Sequence, residues 1–142
     1  MHHFIIEPKL GVGPVRFGMH KDEVGRLFTY VYTSFFKGAD SKVRSDQCEA
    51  IGLIIHYDNA SLVDHIEITQ ARFAAVTVEL FGRDISGISA RDLVKFLMSS
   101  SYVAEKTYYG YDFPQLAMST YNSDPRSDGD PVECLGVGLG VD

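Results

Sequence analysis

Two stretches of the chain place apolar residues at helical spacing. Val24, Leu27, Phe28 and Val31 fall at i, i+3, i+4 and i+7, and Leu93, Phe96 and Leu97 repeat the rhythm, so each stretch predicts an amphipathic helix with one apolar face. Ser89 followed by Asp92 marks a helix start, and His20 with Glu23 is a weaker form of the same signal. Elsewhere apolar and polar residues alternate. Val15-Arg16-Phe17 and the segments 53–59 (LIIHYDN), 62–69 (LVDHIEIT), 74–82 (AAVTVELFG), 117–123 (AMSTYNS) and 132–140 (VECLGVGLG) read as strands separated by turn-forming residues. The first hairpin turns at Asn59-Ala60, and the second carries the longer polar loop SDPRSDGDP.

The elements recur. GPVRFGMHKDEVGRLF at 13–28 aligns without a gap on GRDISGISARDLVKFL at 82–97, with Gly13 on Gly82 and Gly18 on Gly87. Such self-similarity signals a supersecondary unit used twice. It also accounts for the glycine pair Gly13 and Gly18, whose spacing imitates a phosphate-gripping loop. Pro14 removes one of the backbone donors such a loop needs, and Met19-His20 stands where Lys-Ser/Thr is required. The expected fold is α+β: a duplicated β-α-β-β unit whose strands form one antiparallel sheet with two helices packed on one face. At 142 residues the chain is read as a single domain, residues 1–142, with internal pseudo-repeats of about 1–72 and 73–142. A domain of that size buries roughly 68% of its unfolded surface.

Charge changes the picture at one end. The net charge is −6; residues 1–111 are nearly balanced, with thirteen acids and twelve bases, whereas residues 112–142 hold six acids against Arg126. Such a field repels nucleic acid and favours a basic partner. No apolar run approaches the roughly 18 residues of a membrane span. The opening MHHFIIEPKLGVG has neither a basic start nor a long apolar segment, which leads to the expectation of a cytoplasmic protein with no membrane association. Cys48 and Cys134, 86 positions apart with no second cysteine near either, read as two buried thiols.

The run Gly13-Pro-Val-Arg-Phe-Gly18-Met-x-x-x-Glu23-Val24 resembles the start of a group of small bacterial proteins, some of them similar to immunity partners of secreted toxins, and the later YGYDFPQLAMS shares that character. The resemblance covers about a third of the chain and implies a protein-binding role without catalytic residues or cofactors. Gly18-Met-x-x-x-Glu23-Val24-x-x-Leu27 also resembles the first helix of small outer-membrane assembly lipoproteins, but without that group's signal peptide and lipidated cysteine in the sequence a role of that kind is not expected.

Three groups of residues carry candidate chemistry. Tyr102 to Phe113 hold five aromatics in twelve residues, the density of a protein-interface anchor, and Tyr108, Tyr109 and Tyr111 are expected outside the core. Together with Asp124, Asp128 and Asp130 of the acidic loop they form the expected partner-binding set. As an alternative, a turn at Asn59-Ala60 would pair Tyr57 with Leu62 and His56 with Val63. His56 and His65 then become diagonal neighbours on an outer sheet face beside Glu67, a set able to hold a metal or small ligand. Leu53, Ile55, Tyr57, Leu62, Ile66 and Ile68 fall on the core face of that hairpin. Finally, Gly136, Gly138 and Gly140 bare one face of the last strand, to be covered by a neighbouring aromatic or by a second copy of the chain in a homodimer. No nucleophile elbow or metal-finger spacing is present, so the chain reads as a non-enzymatic module that binds a basic protein.

Overall fold

The structure, a computed structural model, describes residues 2–28, 32–69 and 76–140. Among these residues two helices and thirteen strands form a mixed α+β fold in which antiparallel pairing predominates. The strands are β1 (His2–Glu7), β2 (Gly11–Val12), β3 (Val15–Arg16), β4 (Thr33–Phe35), β5 (Ser45–Cys48), β6 (Leu53–Tyr57), β7 (Val63–Thr69), β8 (Val76–Leu80), β9 (Arg83–Asp84), β10 (Glu105–Lys106), β11 (Gly110–Phe113), β12 (Met118–Tyr121) and β13 (Cys134–Gly138). The helices are α1 (Lys21–Leu27) and α2 (Ala90–Ser99).

Two sheets are present instead of the single one expected. The smaller has the order β3-β2-β1-β8-β9, and the larger β10-β11-β12-β13-β7-β6-β5-β4. The small sheet is not wholly antiparallel, because β1 and β8 run parallel in the register His2↔Val76 to Ile6↔Leu80. Parallel pairing needs a long crossover, and the helix and meander between these strands supply it. Phe4, Ile6, Val76, Val78 and Leu80 are all buried, so the alternating pattern of each strand points toward the core.

In the large sheet, β7 and β13 pair at the centre, and each is followed outward by its own antiparallel meander. Corresponding contacts differ by the same 69 positions as the two glycines: His20↔Leu62 and Ser89↔Pro131 form isolated bridges, while Val63 N–H donates to Met19 O and Val132 N–H to Ile88 O. Gly18 and Gly87 both adopt positive φ, 85° and 69°, with open space where a Cβ would stand. Glycine therefore suits both places through its backbone conformation, which a side chain would strain.

Helix α2 begins as predicted, with Ser89 Oγ accepting from Asp92 N–H at 3.1 Å, and it buries Ala90, Leu93 and Leu97. Helix α1 is shorter than its apolar spacing suggests. It ends at Leu27, which is exposed, while Phe28 is extended and buried; Val31 lies outside the described residues. Gly25 weakens the interior of this helix, and only Val24 within it is buried. Side chains from both helices join those of both sheets in one core cluster.

A buried polar group ties α1 to the large sheet. Asp46 of β5 accepts from Lys21 Nζ at 2.9 Å, from Ser34 Oγ at 2.9 Å and from Tyr57 O–H at 2.7 Å. Lys21 Nζ also lies 4.6 Å from the centre of the Tyr57 ring and donates to Arg44 O. Burial, reinforced by the bond to Asp46, raises the Tyr57 phenol pKa and keeps it a donor.

Candidate functional site

The tyrosine-rich segment forms the β10–β11 hairpin. Thr107 N–H donates to Gly110 O at 2.9 Å, which closes a turn and puts Tyr108 and Tyr109 at its tip. Tyr121, two strands in, has Gly110 as its direct cross-strand partner. Gly110 has no side chain, and the Tyr109 ring packs 5.5 Å from that of Tyr121, while Tyr108 meets Tyr109 edge-on at 4.7 Å. All three rings remain open to solvent, at 72% exposure for Tyr108, 44% for Tyr109 and 46% for Tyr121.

Tyr111 is not part of this cluster, contrary to its expected exterior position. It pairs with buried Thr120, so the pleat turns it toward the opposite side from Tyr121. There it packs against the core and donates its hydroxyl to Asp128 Oδ2 at 2.7 Å, with Lys106 Nζ 4.7 Å from the ring centre and 3.7 Å from Asp128 Oδ1. The bond to Asp128 raises the Tyr111 pKa.

The acidic loop is largely engaged with itself. Asp124 accepts from Arg126 N–H at 2.9 Å, the main cause of its lowered pKa, and its carboxylate lies 3.4 Å from Arg126 Nε. Asp128 O accepts from Arg91 N–H, which anchors the loop to the first turn of α2. Asp130 is exposed and makes no side-chain bond among the described residues. The six expected contact residues are therefore divided: Tyr108 and Tyr109 join Tyr121, Tyr111 joins Asp128, and Asp124 and Asp130 sit in the loop.

His56 and His65 are direct cross-strand partners, not diagonal ones. The turn is one residue longer than predicted. Asp58 Oδ1 accepts from Ala60 and Leu62 N–H, Ser61 takes a left-handed φ of 66°, and the register then shifts between His56 and Tyr57. As a result Tyr57 pairs with Val63, and Val63 rather than Leu62 is buried. His56 is 8% exposed, with Nδ1 2.6 Å from Ser45 Oγ and Nε2 3.3 Å from Glu67 Oε2. The His56 bond is the chief cause of a lowered Glu67 pKa, and burial lowers that of His65.

This Ser–His–Glu line has the order of a nucleophile, a base and an orienting acid, but Ser45 is 0% exposed and its hydroxyl cannot reach a substrate. Both ring nitrogens of His56 already have protein partners. Among the described residues no three His, Cys, Asp or Glu side chains gather in a metal-binding group. The His65 ring covers the glycine strip instead: a Cβ on Gly136 would lie 3.2 Å from its Cε1 and 2.7 Å from Ser119 Oγ. The bare face of β13 is thus filled from within the chain.

Both thiols are free; Cys48 is buried and Cys134 half-buried. Burial first, then Glu67 and Glu133, push the Cys134 pKa up to about 12. No helix among the described residues is long and apolar enough to cross a membrane. The chain matches no protein family, no curated protein and no solved structure.

Proposed function

We propose that this protein is a single-domain, non-enzymatic, immunity-type binding module that captures a basic protein in the cytoplasm. The observation that carries this reading is the exposed ring cluster of Tyr108, Tyr109 and Tyr121. Three solvent-facing tyrosines packed on one another offer a large, stiff, amphipathic surface with little rotamer entropy to lose on association. The acidic C-terminal field would speed encounter with a basic partner, while the rings would hold the complex. We also infer that the two halves are copies of one strand-helix-strand-strand unit, because bridges and glycine conformations recur at the 69-residue offset.

Site-specific photo-crosslinking in the native cell tests the reading. A benzophenone amino acid at position 108 is expected to trap one discrete protein adduct. The same group at position 36, an exposed phenylalanine following edge strand β4, should not. Equal adducts from both positions, or none from position 108, would refute the assignment.

A further inference from the structure

Two residues along β12 from Tyr121, a cleft of about 480 Å3 opens, with Lys9, Glu105, Asp112, Pro114, Ala117 and Ser119 in its walls. The strand register builds it. Glu105, Asp112 and Ser119 stand in line across β10, β11 and β12 and continue the face that carries Tyr121. Glu105 and Asp112 are direct cross-strand partners, an arrangement that brings like charges to neighbouring positions and disfavours the pairing unless a cation lies between them. Among the described residues neither carboxylate has an ion-pair or hydrogen-bond partner, and Lys9 Nζ bonds to neither of them. The stem of Lys9 is instead laid over Gly140, where a Cβ would come within 3.4 Å of its Cε. The cleft therefore presents two exposed carboxylates without ion-pair partners alongside the Lys9 side chain, a net negative charge, with Pro114, Ala117 and Met118 supplying apolar wall.

We propose that this cleft receives an arginine side chain from an extended segment of the partner, an inference that rests on the protein-binding reading of the adjoining tyrosines. The guanidinium would lie between Glu105 and Asp112, where its fork of donors can engage two carboxylates at once, a geometry a lysine ammonium does not match. The aliphatic stem would run over Pro114 and Ala117. Lys9 Nζ would donate to a main-chain carbonyl of the same segment, and Tyr121, next along the face, would cover the neighbouring residue. Complementarity of charge selects this occupant. With Glu105 and Asp112 against Lys9 the lining is net negative, which favours a cationic side chain over an uncharged or acidic one.

The test is a titration of the 15N-labelled full chain with acetyl-Gly-Arg-Gly-amide, with the lysine peptide and the neutral citrulline peptide as comparisons. The arginine peptide should give saturable shifts at the amides of Asp112, Ser119 and Tyr121, the lysine peptide weaker ones, and the citrulline peptide none. Asp112→Asn and Glu105→Gln should each reduce affinity about tenfold, and Asp112→Lys should abolish it, while amide signals remote from the cleft stay in place. Shifts scattered along residues 124–133, equal binding of the citrulline peptide, or full affinity in Asp112→Lys would overturn the proposal. Failure of the tyrosine reading looks different. If Tyr108→Ser and Tyr121→Ser leave the native complex intact while the peptide still fills the cleft, the protein-binding face has been misplaced and the arginine site stands. If those variants weaken the complex but the peptide does not bind, only the cleft proposal falls.

Discussion

Asp46→Ala removes the acceptor on which Lys21, Ser34 and Tyr57 converge, and its cost can be estimated from how each donor fares afterwards. Tyr57 is buried, so its hydroxyl loses its partner without access to water, a penalty of about 1–3 kcal/mol. Ser34 is exposed and rehydrates at little cost. Lys21 has a side chain 29% exposed and keeps its bond to Arg44 O, so the lost ion pair counts for about 1 kcal/mol or less. The sum is about 3 kcal/mol, which for a chain of this size lowers Tm by about 10 °C. Tyr57→Phe alone should cost about 1 kcal/mol, because it leaves an anion that Lys21 and Ser34 still satisfy. The double variant should be less destabilised than the two single costs added, by about 1 kcal/mol, since the orphaned hydroxyl is no longer there. Urea unfolding of the four proteins measures the cycle. A cost below about 1 kcal/mol for Asp46→Ala, or strict additivity, would show that Asp46 does not satisfy the buried Tyr57 hydroxyl as described.

Acid should destabilise the protein through the histidine face. The folded-state pKa of His65 lies below its ordinary value, so between that value and about 6.5 the unfolded chain binds more protons, and stability falls as the pH drops. Glu67, also lowered, adds a loss in the same direction as the pH falls below about 4.5 and through its folded pKa. Denaturation midpoints of the wild type and His65→Asn, compared between about pH 7.5 and 5, should show a flatter slope in the variant; parallel slopes would contradict this. Gly136→Ala drives a methyl against Ser119 Oγ and the His65 ring, both side-chain atoms able to yield, and should cost about 1–2 kcal/mol by urea unfolding. In Gly110→Ala the obstacle is the Thr120 carbonyl, a backbone atom that cannot swing aside, and the loss should exceed that of Gly136→Ala; the reverse order would contradict the close approach of β12 to Gly110. Cys134, with its pKa pushed up to about 12, should react with iodoacetamide at pH 8 far more slowly in the folded chain than in denaturant; equal rates would contradict its half-buried, acid-flanked placement.

The helices and central strands were legible because their signals are local. Ser89 caps α2 as its sequence implies, and the glycine pairs proved to serve conformation. What escaped depends on long-range pairing or on one-residue register. The segment His2–Glu7 contains a short apolar run that pairs locally with β2 and, on its other edge, with a parallel neighbour 74 positions away. Strand β5 is Ser-Asp-Gln-Cys, too polar to announce a buried strand, and becomes one because Tyr57, Ser34 and His56 supply partners for its side chains. The extra turn residue at Ser61 moved Val63 into the core and brought His56 opposite His65. Around the tyrosines, density in sequence indicated the region but not the membership. Alternation along β11 sends Tyr111 inward, and Tyr121 enters the cluster only through its cross-strand position opposite Gly110. That signal was present in the alternation of Met118-Ser-Thr-Tyr121, but it requires the strand register to be known.

The proposed anchor is the ring cluster formed by Tyr108 and Tyr109 at the tip of the β10–β11 hairpin with Tyr121 of β12. Calorimetric titration of the protein trapped by the crosslinker at position 108 with the wild-type chain and with Tyr108→Ser/Tyr121→Ser measures its role most directly. Loss of at least about thirtyfold in affinity is predicted, the weight of one interface hot spot, with an intact amide spectrum for the variant and weaker wild-type binding as salt is raised. Unchanged affinity in that variant would contradict the central claim.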